Sequence, residues 1–156
     1  MKPILSARHL ASIVGLPLER LRAIADSSPS HYTTFSRIDP KKQKARTFHN
    51  PMPELKVVQK RIARKILENI PIENIAHGGV RGKSPATNAS VHLGKPCVVT
   101  VDVRDFFPSI RHYIVYRMFR HELRYGREVA KLLTRLTTLG SPLPQGAPTS
   151  LSLIHI

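Results

Sequence analysis

Apolar positions at three- and four-residue spacing mark the start of the chain as helical. Leu10, Ile13 and Val14 share one face of a helix that Ser6 can cap and Gly15 can end. Pro17 suits the first turn of a second helix, with Leu18, Leu21 and Ile24 on one side. This helix–Gly–helix unit reads as a small helical cap packed on the rest of the chain, or as a helix-turn-helix that reads DNA. No dimer-forming region accompanies it, which favours the cap. Ser27-Ser-Pro-Ser-His31 is a linker by composition. Tyr32 to Ile38 alternates in part, and Arg46 to Pro51 returns after the basic turn Asp39-Pro40-Lys41-Lys42-Gln43-Lys44, a pattern that predicts a β-hairpin. Leu55, Val58, Ile62, Ile66 and Asn69 then repeat at helical spacing over residues 53–69. Lys56, Lys60, Arg61, Arg64 and Lys65 occupy the rest of that helix, as a solvated face or one turned to phosphates.

The second half changes character. Residues 77–95 are Gly-rich and basic. The apolar run Cys97 to Val101 predicts a buried strand with a core thiol, and it delivers Asp102 to the strand's end. Pro108 and Ser109 can start a helix carrying Ile110, Tyr113, Ile114, Met118 and Leu123. A second helix is predicted from Arg127 to Thr138, with Val129, Leu132, Leu133 and Leu136 inward. Both read as cover for a sheet. Gly140 and the prolines between 142 and 148 force a loop ahead of a last helix.

Charge narrows the function. The 156 residues carry 25 Lys and Arg against 10 Asp and Glu, a net +15. That excess calls for a polyanionic partner, since neutralising phosphates releases counterions. No apolar run approaches the ~20 residues that span a bilayer, and Arg8 and His9 interrupt any signal-peptide apolar region. The expected location is cytoplasmic, with no membrane partner. One cysteine excludes an intrachain disulfide, and the dispersed histidines form no metal-ligand spacing.

Two chemistries are open to the acidic segment Val101-Asp102-Val103-Arg104-Asp105-Phe106-Phe107. A strand that ends in Asp holds a carboxylate rigidly at a cleft, as a divalent metal requires. It can equally be a buried strand leaving the core through a solvated turn. In His77-Gly-Gly-Val-Arg-Gly-Lys-Ser84, the glycines allow close backbone approach to a sugar-phosphate chain, and Arg81 and Lys83 can meet phosphates. Gly79, Gly82 and Lys83 stand too close together for a Walker loop, which removes an ATPase reading.

Three stretches in this order resemble bacterial reverse transcriptases, in style those of retrons and group II introns. They are the fingers-like His77–Ser84, the Val99–Phe107 segment, and Pro142-Leu-Pro-Gln-Gly-Ala-Pro-Thr-Ser150. The resemblance runs from about Tyr32 to Ser150. It implies an α+β fold: right-hand polymerase fingers over 31–96, an incomplete palm over 97–156, and a short helical extension over 1–30. The implied activity is RNA-directed DNA polymerisation by two-metal phosphoryl transfer, with two Mg²⁺ ions about 4 Å apart. Asp102 would be the catalytic carboxylate on both metals, and the Val103 carbonyl would join one. Arg46, with Lys41 or Lys42, would grip the incoming triphosphate; Asp105 and Phe106 would lie beneath it through backbone N–H groups. Phe107 would be the steric gate that selects deoxynucleotides, although Phe106 and Phe107 also suit core packing. Gln145 would contact the sugar and base, Gly146 would let the backbone pass the base pair, and Arg81 and Lys83 would track template and primer. Gln59 falls where the family commonly has Gln. Implied partners are an RNA template, an RNA/DNA primer duplex, dNTPs and a structured non-coding RNA.

The sequence also departs from that pattern. The paired aspartates of a Tyr-x-Asp-Asp hairpin and the thumb are not in it, and the closing Leu-Ser-Leu-Ile-His-Ile does not follow the family. The expectation is a chain that does not polymerise alone. The alternatives are a group II intron maturase and a non-catalytic basic RNA- or DNA-binding module.

Overall fold

Helices α1 (Ala7–Val14) and α2 (Leu18–Asp26) open the fold and pack on two longer ones, α3 (Pro53–Lys65) and α7 (Arg127–Thr137). The computed structural model describes residues 2–39, 43–80 and 82–154. The predicted caps of α1 form. The Ser6 hydroxyl accepts from the His9 N–H at 3.2 Å, and Gly15 turns left-handed at φ 72°, donating to the Ala11 and Ser12 carbonyls. The apolar stripes meet in one core: Leu10 and Val14 of α1, Leu21 and Ile24 of α2, Leu55, Val58 and Ile62 of α3, Val129, Leu133 and Leu136 of α7. Ion pairs Arg20–Glu54, Arg22–Glu128 and Arg135–Asp26 lie at the rim of these contacts. They are exposed and contribute little beside burial of that core. The first two helices are a packed cap.

The hairpin is where alternation and turn predict it. Strand β1 (Tyr32–Asp39) pairs antiparallel with β2 (Lys44–Pro51), Tyr32 opposite Pro51 and Arg37 opposite Arg46. Lys41 and Lys42 lie outside the described residues. The result is a mixed fold of helices and one small antiparallel sheet.

Four expectations are corrected. Residues 98–103 form no strand, and Val99, Val101 and Val103 are 79%, 88% and 61% exposed. A strand needs a ladder partner, and none faces this run among the described residues. Cys97 is accordingly exposed and not a core thiol. Pro108 and Ser109 close a short helix, α5 (Phe106–Ser109), and the next, α6 (His112–Arg117), starts afresh before a π-helical turn at Met118–Glu122. The break has a cause: Leu143 N–H donates to the Ile110 carbonyl and Arg111 bridges to Pro142, which draws 110–111 out of helical geometry. Finally, α7 packs among helices at the centre of the helical core and, among the described residues, covers no sheet. Two short helices, α4 (Pro85–Ser90) and α8 (Ser150–Leu153), and 3-10 turns at Ser28–His31 and Leu67–Asn69, the latter taking over where α3 stops short of the predicted end at 69, complete the described elements.

Candidate nucleotide cleft

Three segments far apart in sequence wall one cleft of about 460 Å³. Strand β2 supplies Ala45, Arg46, Thr47 and His49; the stretch around α5 supplies Asp102, Asp105, Phe106, Phe107 and Pro108; the proline-rich loop supplies Pro142, Leu143 and Gln145. Six residues singled out in the sequence meet here: Arg46, Asp102, Asp105, Phe106, Phe107 and Gln145.

Local structure explains each placement. Asp105 adopts φ 48° and ψ 42° and starts α5. The left-handed conformation is one that Asp tolerates better than most residues. It turns the chain so that Phe106 and Phe107 follow on the cleft wall, edge to face with centroids 5.8 Å apart. Phe107 also packs against the core, as the packing reading of that ring expects. The loop is anchored from beneath: Leu143 and Ser150 are buried, and the Ser150 hydroxyl donates to the Pro144 carbonyl at 2.6 Å. Its rim meets the hairpin, where the His49 N–H donates to the Gln145 carbonyl at 2.9 Å. Gly146 follows at φ 101°, a conformation that demands glycine, beside Phe48 and His49.

The hairpin's root is pinned by Gln59. This side chain is fully buried, and its Nε2 donates to the Tyr32 hydroxyl at 2.7 Å and the Leu136 carbonyl at 2.8 Å. Burial pushes the Tyr32 phenol up to about 12, against a smaller lowering by the Gln59 hydrogen bond. Gln59 thus ties β1 to both long helices, which sets where Arg46 stands over the cleft.

Other expected residues lie elsewhere. Val103 is not on the cleft wall, Lys83 donates to the Asn74 carbonyl at 3.2 Å, and Arg81 lies outside the described residues. The basic face of α3 is partly structural. Arg61 donates to the Val14 and Gly15 carbonyls and Lys65 to that of Ile13, so both cap the C-terminus of α1.

Thr47 and His49 are cleft residues that the sequence reading passed over. The signal was strand period: 45, 47 and 49 share a face, whereas Arg46 alternates away from it and reaches the wall from its edge. His49 is held on two sides, its Nδ1 3.0 Å from the Thr34 hydroxyl and its backbone on Gln145.

Magnesium, which the resemblance implies, fits these residues only in part. Among the described residues, Asp102 and Asp105 are the only carboxylates lining the cleft, and no group of three or more His, Cys, Asp or Glu comes together. A hard cation needs more oxygens than that. The described residues do not by themselves make a magnesium site.

No protein-family model matches the chain. It is 33% identical to the retron Se72 reverse transcriptase of Salmonella heidelberg over 92% of its own length and 38% of the relative's. To the retron Mx162 reverse transcriptase of Myxococcus xanthus the identity is 35%, covering 93% of the chain and 34% of the relative. To the retron Ec86 reverse transcriptase of Escherichia coli it is 30%, covering 99% and 48%. The chain therefore spans between about a third and a half of the length of these relatives. It is related to the reverse transcriptases, a class of nucleotidyltransferase. Within that class its similarity is to the bacterial retron type.

Proposed function

We propose that this chain supplies the fingers (31–96), part of the palm (97–156) and a helical extension (1–30) of an RNA-directed DNA polymerase. In this reading the cleft is the pocket for the incoming deoxynucleotide. The observation that carries it is the convergence of Arg46, Asp102, Asp105, Phe106, Phe107 and Gln145 on one cleft from three separated segments. A guanidinium on one wall suits a triphosphate. Aromatic rings on another suit a sugar and base, and Phe107 against the core is stiff enough to reject a 2′-hydroxyl. Asp102 is the first of several carboxylates that magnesium needs, so chemistry at the α-phosphate requires further acids. The template would be RNA, the primer an RNA/DNA duplex, and Gly-rich residues 77–95 would follow the strands.

The test is a chimera in which this chain replaces the matching part of the retron Ec86 reverse transcriptase, assayed by single-turnover primer extension. Asp102→Asn should cost on the order of 10³-fold or more, as loss of a metal ligand does. Asp105→Asn should cost far less, because its backbone serves the pocket. Phe107→Ala should raise ribonucleotide incorporation relative to deoxynucleotide. Equal losses at the two aspartates in a folded chimera would contradict the assignment.

A second reading, a non-catalytic nucleic-acid-binding module, is favoured by the incomplete carboxylate set and the +15 charge. Mg²⁺-dependent primer extension by the purified chain alone would exclude it.

A further inference from the structure

Cys97-Val-Val-Thr-Val-Asp-Val103 has the composition of a buried strand, yet it is exposed along its whole length. It contains no proline or glycine, and its one charge is that of Asp102. Among the described residues, no backbone N–H or C=O of this run bonds to another backbone group. A β-prone, nearly uncharged segment with open backbone groups is a template for strand addition. Pro96 has no N–H to give, which sets the start of the run, and the left-handed Asp105 turns the chain just past its end.

Drawn out as a strand, the run carries Cys97, Val99, Val101 and Val103 on one face and Val98, Thr100 and Asp102 on the other. That pattern is complementary to itself. Antiparallel pairing about Thr100 sets Val99 opposite Val101 and Cys97 opposite Val103 on both sides of the centre, with Thr100 opposite Thr100. Asp102 then faces Val98, so no two carboxylates meet, and Lys95 falls opposite Asp105, cation to carboxylate. One residue of slip would instead set Val99 against Asp102 or Thr100 and mix the two faces.

We propose that residues 97–103 pair with the same residues of a second copy of this chain, as an antiparallel ribbon centred on Thr100. The strands are short, so the association is weak, with a dissociation constant on the order of 100 µM. In dilute solution the copies are apart and the run stays open. Each copy carries +15, so the copies repel. Salt that shortens the Debye length from about 10 Å to about 3 Å relieves that repulsion and strengthens the pairing. Nucleic-acid binding has the opposite salt dependence. The surface goes beyond the cleft's proposed chemistry, and pairing there does not require the cleft to take a deoxynucleotide.

The test is sedimentation equilibrium of the nuclease-treated whole chain from about 10 µM to about 1 mM, at about 0.1 M and about 1 M salt. The dimer fraction should rise with concentration and with salt, and amide protection in 98–103 should rise in step. Thr100→Pro removes the central N–H of both copies from a segment that packs on nothing. It should weaken association about tenfold or more and leave the urea midpoint unchanged. Register is read by cross-linking. In this pairing the two Cys97 residues stand about 20 Å apart, too far for a disulfide, whereas residue 103 faces Cys97. Under mild oxidation Val103→Cys should give covalent dimers and the wild type few. A chain that stays monomeric throughout would overturn the proposal, as would association that weakens with salt or survives Thr100→Pro. Cross-linking of the wild type as readily as Val103→Cys would also contradict it. Deoxynucleotide binding, measured in dilute solution, reports separately on the polymerase reading, so either can fail alone.

Discussion

Gln59 shows how much one side chain can organise. Its Nε2 makes two hydrogen bonds, while its Oε1 is buried without a partner. Gln59→Ala removes both bonds, leaves a cavity and strands the Leu136 carbonyl. The expected loss in urea unfolding is about 2–4 kcal/mol. Tyr32→Phe gives up one bond and should cost about 1 kcal/mol. Burial raises the phenols of Tyr32 and Tyr125 to about 12, so the folded state binds more protons than the unfolded state between pH 10 and 12. Their contribution is whole below pH 10 and is lost as pH rises through 12, a loss that Tyr→Phe at both sites should blunt. His112 runs the other way. Burial first and the Arg135 charge second hold its imidazole below the usual value. Its contribution is whole above pH 6.5 and falls as the pH drops through the folded value, which His112→Asn should flatten in an acid titration. Gly126 admits no side chain, since a Cβ there would stand 2.2 Å from the Leu5 carbonyl oxygen. Gly126→Ala should unfold the cap region first.

At the scale of elements, the sequence made the helices and the hairpin legible wherever a local signal sufficed: the Ser6 and Gly15 caps, the 3–4 spacing of Leu55 to Ile66, the basic turn. Three features depended on distant partners and were not legible. Arg61 and Lys65 read as part of a solvated or phosphate-facing surface because nothing local says that the end of α1 lies beside them. The helix expected from Pro108 breaks at 110–111 because the 142–143 loop takes its backbone groups. The run 97–101 reads as a buried strand by composition, yet its burial required a ladder that the described residues do not supply. The capping account predicts that Arg61→Gln with Lys65→Gln lowers stability by about 1 kcal/mol or more.

Across the whole molecule, a helical core built from α1, α2, α3 and α7 holds a hairpin and two loops around one cleft. The cleft itself was legible: six of its residues stand out in the sequence through their motifs, and the structure brings them together. Thr47 and His49 were not, because the motif drew attention to Arg46 and away from strand period. Residues 95–104 carry exposed valines and no secondary structure, so their amides should exchange within the dead time of a hydrogen-exchange experiment, while those of α3 and α7 are protected. Strand-like protection there in the isolated chain would show that the run finds a partner after all.

The most direct test of the central claim is equilibrium binding of a deoxynucleoside triphosphate to the chain, followed by NMR shifts of cleft residues. The account predicts saturable binding with perturbations at Arg46, His49, Phe107 and Gln145, loss of about tenfold or more on Arg46→Gln as a charge-assisted contact disappears, and little change on Arg61→Gln. Saturable binding that is indifferent to Arg46, or perturbations confined to surfaces away from these residues, would contradict it.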